Sequence, residues 1–287
     1  MHTDTRTFSL GSAEVSIFNL GDVSLALARI MDVPQSEWQP RYADQFEQPA
    51  LFPSQCILIK LPDALVLVDA NNFALSTPPG SPYAPPPGYQ PPPDLFAQLL
   101  ARGFHPEDIT HLVITHAHFD HYAGVTREHN GQFVPSFPNA RCYLGRPDWE
   151  NPETQKALHD PTSRDSRTFG ILQQAGLLEL VEGDRDLIPA VRLIAAPGES
   201  PGHQIVRISL EGQVLYCLGD LYHHPVEVEH PSWMATWDDP TTTLTSRAAL
   251  TQSALKENAL LIATHIASIG HLQRLPTGTR WVNVPDL

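Results

Sequence analysis

The densest concentration of chemically capable side chains is Thr115-His116-Ala117-His118-Phe119-Asp120-His121, directly after the apolar run Leu112-Val113-Ile114. Imidazole nitrogen and carboxylate oxygen together make a donor set suited to Zn, Fe or Mn. A strand that runs into a tight loop can point such side chains into one pocket while its backbone stays paired. The competing reading is a solvated, histidine-rich surface tract. The strand immediately before the cluster favours the metal reading.

A site for two ions needs more donors than one loop provides, and three later positions offer them. In Pro197-Gly198-Glu199-Ser200-Pro201-Gly202-His203 a His follows a Gly- and Pro-rich turn, where small residues let backbones approach closely. Asp220 follows Leu218-Gly219 at the end of the run Val214–Leu218, and His265 ends the run Leu260–Thr264. Any one of them alone reads as a polar residue satisfied at a strand end. Their joint occurrence is what turns the reading toward metal.

These side chains need strands to carry them. β-branched runs recur at Val15–Leu20, Cys56–Leu61, Leu65–Ala70, Leu112–Thr115, Val191–Ala196, Ile205–Leu210, Val214–Leu218 and Leu260–Thr264. Helical patterns lie between some of them, at Asp94–Gly103 and Pro240–Asn258. The mixture predicts an α/β fold with a two-layered sheet core flanked by helices. Residues 77–93 differ: nine prolines around Tyr83 and Tyr89 exclude helix and central strand. This segment reads as a stiff surface connection, with a recognition motif for a partner or an active-site rim as alternatives.

Composition narrows the function classes. The chain has 287 residues, 41% hydrophobic and 17% charged, and no apolar run approaches the roughly 18 residues of a membrane span. The start, Met1-His2-Thr3-Asp4-Thr5-Arg6, lacks the pattern of a signal peptide, which predicts a cytoplasmic protein. A formal charge of −14 without any basic cluster argues against a nucleic-acid partner. Cys56, Cys142 and Cys217 cannot all pair and sit in apolar segments, so they read as buried small hydrophobes.

The order His-x-His-x-Asp-His, Gly-His, Gly-Asp and late His resembles the metallo-β-lactamase superfamily from about Val15 to the C-terminus. The resemblance implies a single four-layer αββα domain over residues 1–287, with the proline-rich loop inserted at 77–93. It also implies two divalent ions, Zn foremost, with Fe, Mn or a mixed pair as alternatives. Carried over residue by residue, His116, His118 and His203 would hold the first ion and Asp120, His121 and His265 the second, with Asp220 bridging. Asp69 matches a strand-end Asp of the family, although Ala70-Asn71 stands where Thr-Gly is usual. A hydroxide bridging the ions would be the nucleophile, because metal binding lowers the pKa of water from about 15.7 to about 7. Asp120 would orient it and pass a proton toward the leaving group.

Within the superfamily the segments Gly219–Pro225, His230–Trp233 and Trp237–Pro240 most resemble the lactonase and methyl-parathion-hydrolase-like groups. In lactonase-like members a donor shortly after the bridging Asp contacts the substrate carbonyl, a place open here to Tyr222 or His223. Trp38, Tyr42, Phe46 and Phe52 are either pocket walls or core, and His129, His230 and His271 read as structural or surface residues. The expected function is hydrolysis of a lactone or small carboxylic ester. Alternatives are a phosphotriesterase, a glyoxalase-II-type thioesterase, an iron-dependent oxidoreductase and a noncatalytic binding protein on the same fold. The partner is then a small-molecule ester or lactone, with neither nucleic acid nor membrane, and a homodimer is suggested by the resemblance alone.

Overall fold

Along Cys56-Ile57-Leu58-Ile59 all four side chains are buried, and they alternate between two separate apolar clusters. Successive side chains on a strand face opposite ways, so this strand lies in a sheet covered on both faces. The computed structural model describes residues 5–285. Its strands in chain order are β1 (Thr5–Leu10), β2 (Ala13–Leu25), β3 (Ala50–Leu61), β4 (Ala64–Val68), β5 (His111–Val113), β6 (Thr126–His129), β7 (Gln132–Pro135), β8 (Arg141–Gly145) and β9 (Leu178–Val181). They continue with β10 (Arg185–Ile188), β11 (Val191–Ala195), β12 (Gln204–Leu210), β13 (Gln213–Cys217), β14 (Leu260–Ile262), β15 (Gly270–Leu275) and β16 (Gly278–Asn283).

Two seven-stranded sheets result, in the orders β1-β2-β3-β4-β5-β8-β9 and β10-β11-β12-β13-β14-β15-β16, while β6 and β7 form a separate hairpin. The first sheet is antiparallel up to β4 and parallel beyond it; in the second, only β13 and β14 pair in parallel. One apolar cluster is shared by the inner faces, with Val15, Ile57 and Val113 from one sheet and Leu193, Val206 and Leu215 from the other. The outer face of the first sheet packs on the helices Leu95–Ala101 and Phe169–Gln174, and that of the second on the helix Pro240–Glu257. Helices, sheet, sheet and helices are therefore the four expected layers.

Each of the eight strand runs read from the sequence corresponds to a strand here, with bounds shifted by a few residues. The strands that escaped notice include the exposed β6 and the sheet-edge strands β10 and β16, whose mixed burial leaves no strong apolar pattern. Asp94 and Asp239 cap the two expected helices, accepting from the Ala97 and Thr242 amides. Helix Gln35–Glu47 was not anticipated, because Pro40 lies inside it and Tyr42 leaves helical backbone angles. Cys56, Cys142 and Cys217 are all buried and free. Among the described residues no helix is long and apolar enough to cross a membrane.

Candidate metal centre

The ends of the strands in both sheets converge on one group of donors. The loop after β5 carries His116, His118, Asp120 and His121, the turn before β12 carries His203, and Asp220 and His265 follow β13 and β14. Gln204 ties the sheets together here: its backbone amide donates to the Thr115 carbonyl (2.9 Å) and its side chain to the Ile114 carbonyl (2.9 Å). From the opposite direction, the Gln55 side chain donates to the carbonyls of Ala263 (3.0 Å) and Ile266 (2.9 Å). Gly219 has φ +53°, and a Cβ there would lie 2.8 Å from Thr115 Oγ1 and 2.9 Å from His203 Nε2. Any side chain at 219 would intrude on the donors, which accounts for Gly before Asp220.

Asp220 lies at the centre. Its Oδ2 is 3.2 Å from His121 Nε2, 3.3 Å from His265 Nε2 and 3.9 Å from His116 Nε2. Asp120 Oδ2 is 3.5 Å from His265 Nε2 and 3.8 Å from His121 Nε2, which closes the group Asp120–His121–His265. His116 shares a donor group with His121 and Asp220, and its ring centroid lies 4.0 Å from that of His121 and 4.5 Å from that of His118. The His203 ring is 5.1 Å from that of His116, and its Nε2 lies 3.2 Å from the Asp220 amide. His203 thus reaches the site but stands outside the tightest donor groups.

The histidines are braced from behind. Asp69, at φ +60°, accepts from the Thr115 amide and hydroxyl through separate oxygens, and its Oδ2 also accepts a hydrogen bond from His121 Nδ1 at 2.8 Å. His203 Nδ1 donates to the Ala196 carbonyl (3.1 Å) and His265 Nδ1 to the Pro53 carbonyl (2.8 Å). Fixing one ring nitrogen turns Nε2 of His121 and His265 toward Asp220, the arrangement that metal-binding histidines need, while Nε2 of His203 accepts from the Asp220 amide. Buried polar atoms there, His116 Nε2 and Asp220 Oδ1 among them, have no hydrogen-bond partner, although such groups are ordinarily satisfied. The donor types, the bracing and these orphaned atoms fit a pair of divalent ions.

The charges tell the same story. Burial pushes His116 below the ordinary imidazole range. Burial also opposes the imidazolium of His121 and His265, but Asp220 and Asp120 outweigh it, holding His121 well above its usual value and raising His265 to about 10. Burial likewise works against the Asp120 carboxylate, yet His121 and His265 bring it down to about 2. Protons thus occupy the place that cations would take.

A cavity of about 290 Å³ opens at the centre, lined by Val23, Leu25, Ile30, Phe52 and Trp237 together with His118, Asp120, Asp220 and His265. Thr77 and Tyr83 of the proline-rich segment also line it. That segment is strapped to β2: the Ser24 amide donates to the Tyr83 carbonyl (2.9 Å) and Tyr89 Oη to Asp22 (3.0 Å). It is therefore a rim of the cavity as well as a surface connection. Of the four aromatics considered as walls, Phe52 alone lines the cavity; Trp38 and Phe46 stack at 5.0 Å within an apolar cluster with Trp233, and Tyr42 meets Glu229 and His230.

Tyr222 and His223 separate clearly. His223 lines the cavity, with Nε2 3.6 Å from Asp220 Oδ2, whereas Tyr222 is 1% exposed and packs in the outer core beneath the Arg247 guanidinium. Tyr222 as a candidate substrate donor is corrected accordingly: its ring packs in the outer core. What aims His223 was missed in the sequence. Glu227 accepts from the His223 and His224 amides and pairs with Arg247 at 2.6 Å, both partners being buried. Arg247 in turn donates to the carbonyls of Leu221 and Trp233, so one helix residue holds the whole loop. Asp148 was missed too; it accepts from the Ala117 amide, the Ser200 hydroxyl and the Gly202 amide, joining the loops that carry His116 and His203.

With this geometry in view, residues 50–271 match the Metallo-beta-lactamase superfamily. The chain belongs to that superfamily. Among curated relatives, an N-acyl homoserine lactonase of Bacillus thuringiensis is 30% identical over 176 residues, 60% of this chain and 62% of the relative. The chain thus matches under two thirds of that lactonase's length. Among solved structures, the superfamily hydrolase AbOPH aligns with a TM-score of 0.79 at 19% identity, covering 99% of this chain and 98% of the other. AidC, a dizinc quorum-quenching lactonase solved with a product, aligns at 0.77 and 21% identity, with the same coverage. At these identities the structures show the shared superfamily fold.

Proposed function

We propose that the chain is a dinuclear metal-dependent hydrolase that opens lactones, with small carboxylic esters as secondary substrates. The observation that carries this is the meeting of two donor groups at Asp220 beneath a largely apolar cavity. The relatives named as lactonases support the choice of substrate. His116, His118 and His203 would hold one ion, and Asp120, His121 and His265 the other, with Asp220 shared. Zinc is the first candidate, as in AidC. When bound, two such ions supply Lewis acidity toward a carbonyl oxygen and a nucleophile available at neutral pH.

The remaining work falls to the protein. His223 lines the cavity with Nε2 3.6 Å from Asp220 Oδ2, and in the metal-free protein burial opposes its proton but Glu199, Glu227 and Asp220 raise it to about 9. A ring N–H so placed would donate a hydrogen bond to an oxygen that gains negative charge as the carbonyl is attacked. Asp120 is the more exposed of the two central aspartates, and its carboxylate can take a proton and hand it to the departing alkoxide. In a lactone that alkoxide stays tethered to the acid. The walls formed by Val23, Leu25, Ile30 and Phe52 exclude water and favour an apolar substituent on the ring.

The test is a substrate panel at matched metal content: lactones with short and long acyl substituents, aryl esters, a phosphotriester and a glutathione thioester. Lactones should give the highest kcat/KM, rising with acyl length. A preference for the thioester or phosphotriester by tenfold or more would replace this reading with the corresponding hydrolase.

A further inference from the structure

One carboxylate in the centre has no part in the seven-ligand scheme. Glu199 is 4% exposed, and its Oε1 lies 2.9 Å from His118 Nδ1, 3.8 Å from His116 Nε2 and 3.9 Å from His223 Nε2. It shares a compact donor group with His116 and His118, and another with Asp220 and His223. The fold works to bring it there. Gly198 before it has φ +148°, and a Cβ at that position would lie 2.2 Å from Thr243 Oγ1, so the chain can pass the helix Pro240–Glu257 only with glycine. Trp237 Nε1 then donates to Glu199 Oε1 at 2.8 Å, which orients the carboxylate inward.

We propose that Glu199 is an eighth donor, a carboxylate ligand to the ion held by His116, His118 and His203. This rests on the two-metal reading above. The spacing supports it: donors about 2.1 Å from a common ion lie about 3.0 Å apart at right angles and about 3.4 Å apart in a tetrahedron. Glu199 Oε1 and His118 Nδ1, in hydrogen-bonding contact at 2.9 Å, are close enough for one ion to take both in place of the shared proton. A third carboxylate beside Asp120 and Asp220 also makes the centre more anionic. Carboxylate-rich sites of higher coordination number suit harder ions, so the position would hold Mn or Fe better, relative to Zn, than one made of histidines and Asp220 alone.

Two measurements decide it. In crystals of the wild-type protein loaded with Mn or Zn, located by anomalous scattering, a Glu199 oxygen should lie within about 2.0–2.3 Å of the first ion. An oxygen more than about 3 Å away, bonded only to His118, overturns the proposal. In solution, Glu199→Gln should lose at least about tenfold in affinity for one of two Co(II) ions in chelator competition, and its visible Co(II) bands should intensify as the coordination number falls. Unchanged affinity and spectrum in Glu199→Gln, with two ions still bound, would reject Glu199 as a ligand and leave the two-metal reading intact. A wild-type chain that never binds a second ion removes that reading, and this proposal with it.

Discussion

The floor and the walls of the cavity are built in different ways. The floor is made of side chains at strand ends, among which His203 and His265 are braced by the Ala196 and Pro53 carbonyls and His121 by the buried Asp69 carboxylate. The walls come from irregular segments: the end of β2, Phe52 at the start of β3, the proline-rich strap and the loop that carries Trp237. Rigid strand ends hold atoms to within the tolerance that metal coordination demands, while loops over them can vary without disturbing it. On the proposed reading the floor sets the reaction and the walls set the substrate. Substitutions in the floor should abolish chemistry, and substitutions in the walls should redistribute it.

The largest effect is expected at the shared carboxylate. Asp220→Asn keeps the shape but removes the charge that offsets two cations, so kcat/KM should fall by at least about 10³ together with loss of bound metal. Full metal content and near-normal turnover in that variant would erase the distinction between floor and walls. His223→Ala comes next: a donor to a developing oxyanion typically contributes 10²–10³ in turnover, so kcat should drop by about that factor while both ions stay bound. Metal loss in His223→Ala would instead make His223 part of the ligand set.

Metal loading should itself depend on pH. His121 and His265 are held protonated above their usual values in the metal-free protein, so the ions must displace those protons. Raising the pH from about 6 to about 8 should strengthen binding, and titration calorimetry in buffers of different ionisation enthalpy should show protons released. Proton uptake would contradict the assigned charge pattern. The smallest effect belongs to the walls: Phe52→Ala should raise KM several-fold for lactones with long acyl groups, leaving kcat and metal content within about twofold. An equal change for short substrates would mean that Phe52 does not read the substituent.

The same division explains what could be read from the sequence. His116, His118, Asp120 and His121 announce themselves because they crowd one loop after an apolar strand, and His203, Asp220 and His265 because each ends a further strand. Glu199 offers no such signal: one acid in a Gly- and Pro-rich turn looks like any solvated loop residue. Arg247 is hidden for a related reason. A cation on a long helix reads as exposed, and only the tertiary fold buries it against Glu227. The choice between Tyr222 and His223 turns on the direction of an irregular loop that has no period to reveal which neighbour faces inward. The helix Gln35–Glu47 was masked by Pro40, whose break at Tyr42 removes the 3.6-residue repeat.

The most direct test of the account is the number and position of metal ions in protein purified without added metal, by elemental analysis and anomalous diffraction from the same preparation. The account predicts two ions per chain on either side of the Asp220 carboxylate, one beside His116, His118 and His203 and the other beside Asp120, His121 and His265. A chain that takes up no metal, or that binds one ion away from Asp220, would contradict it.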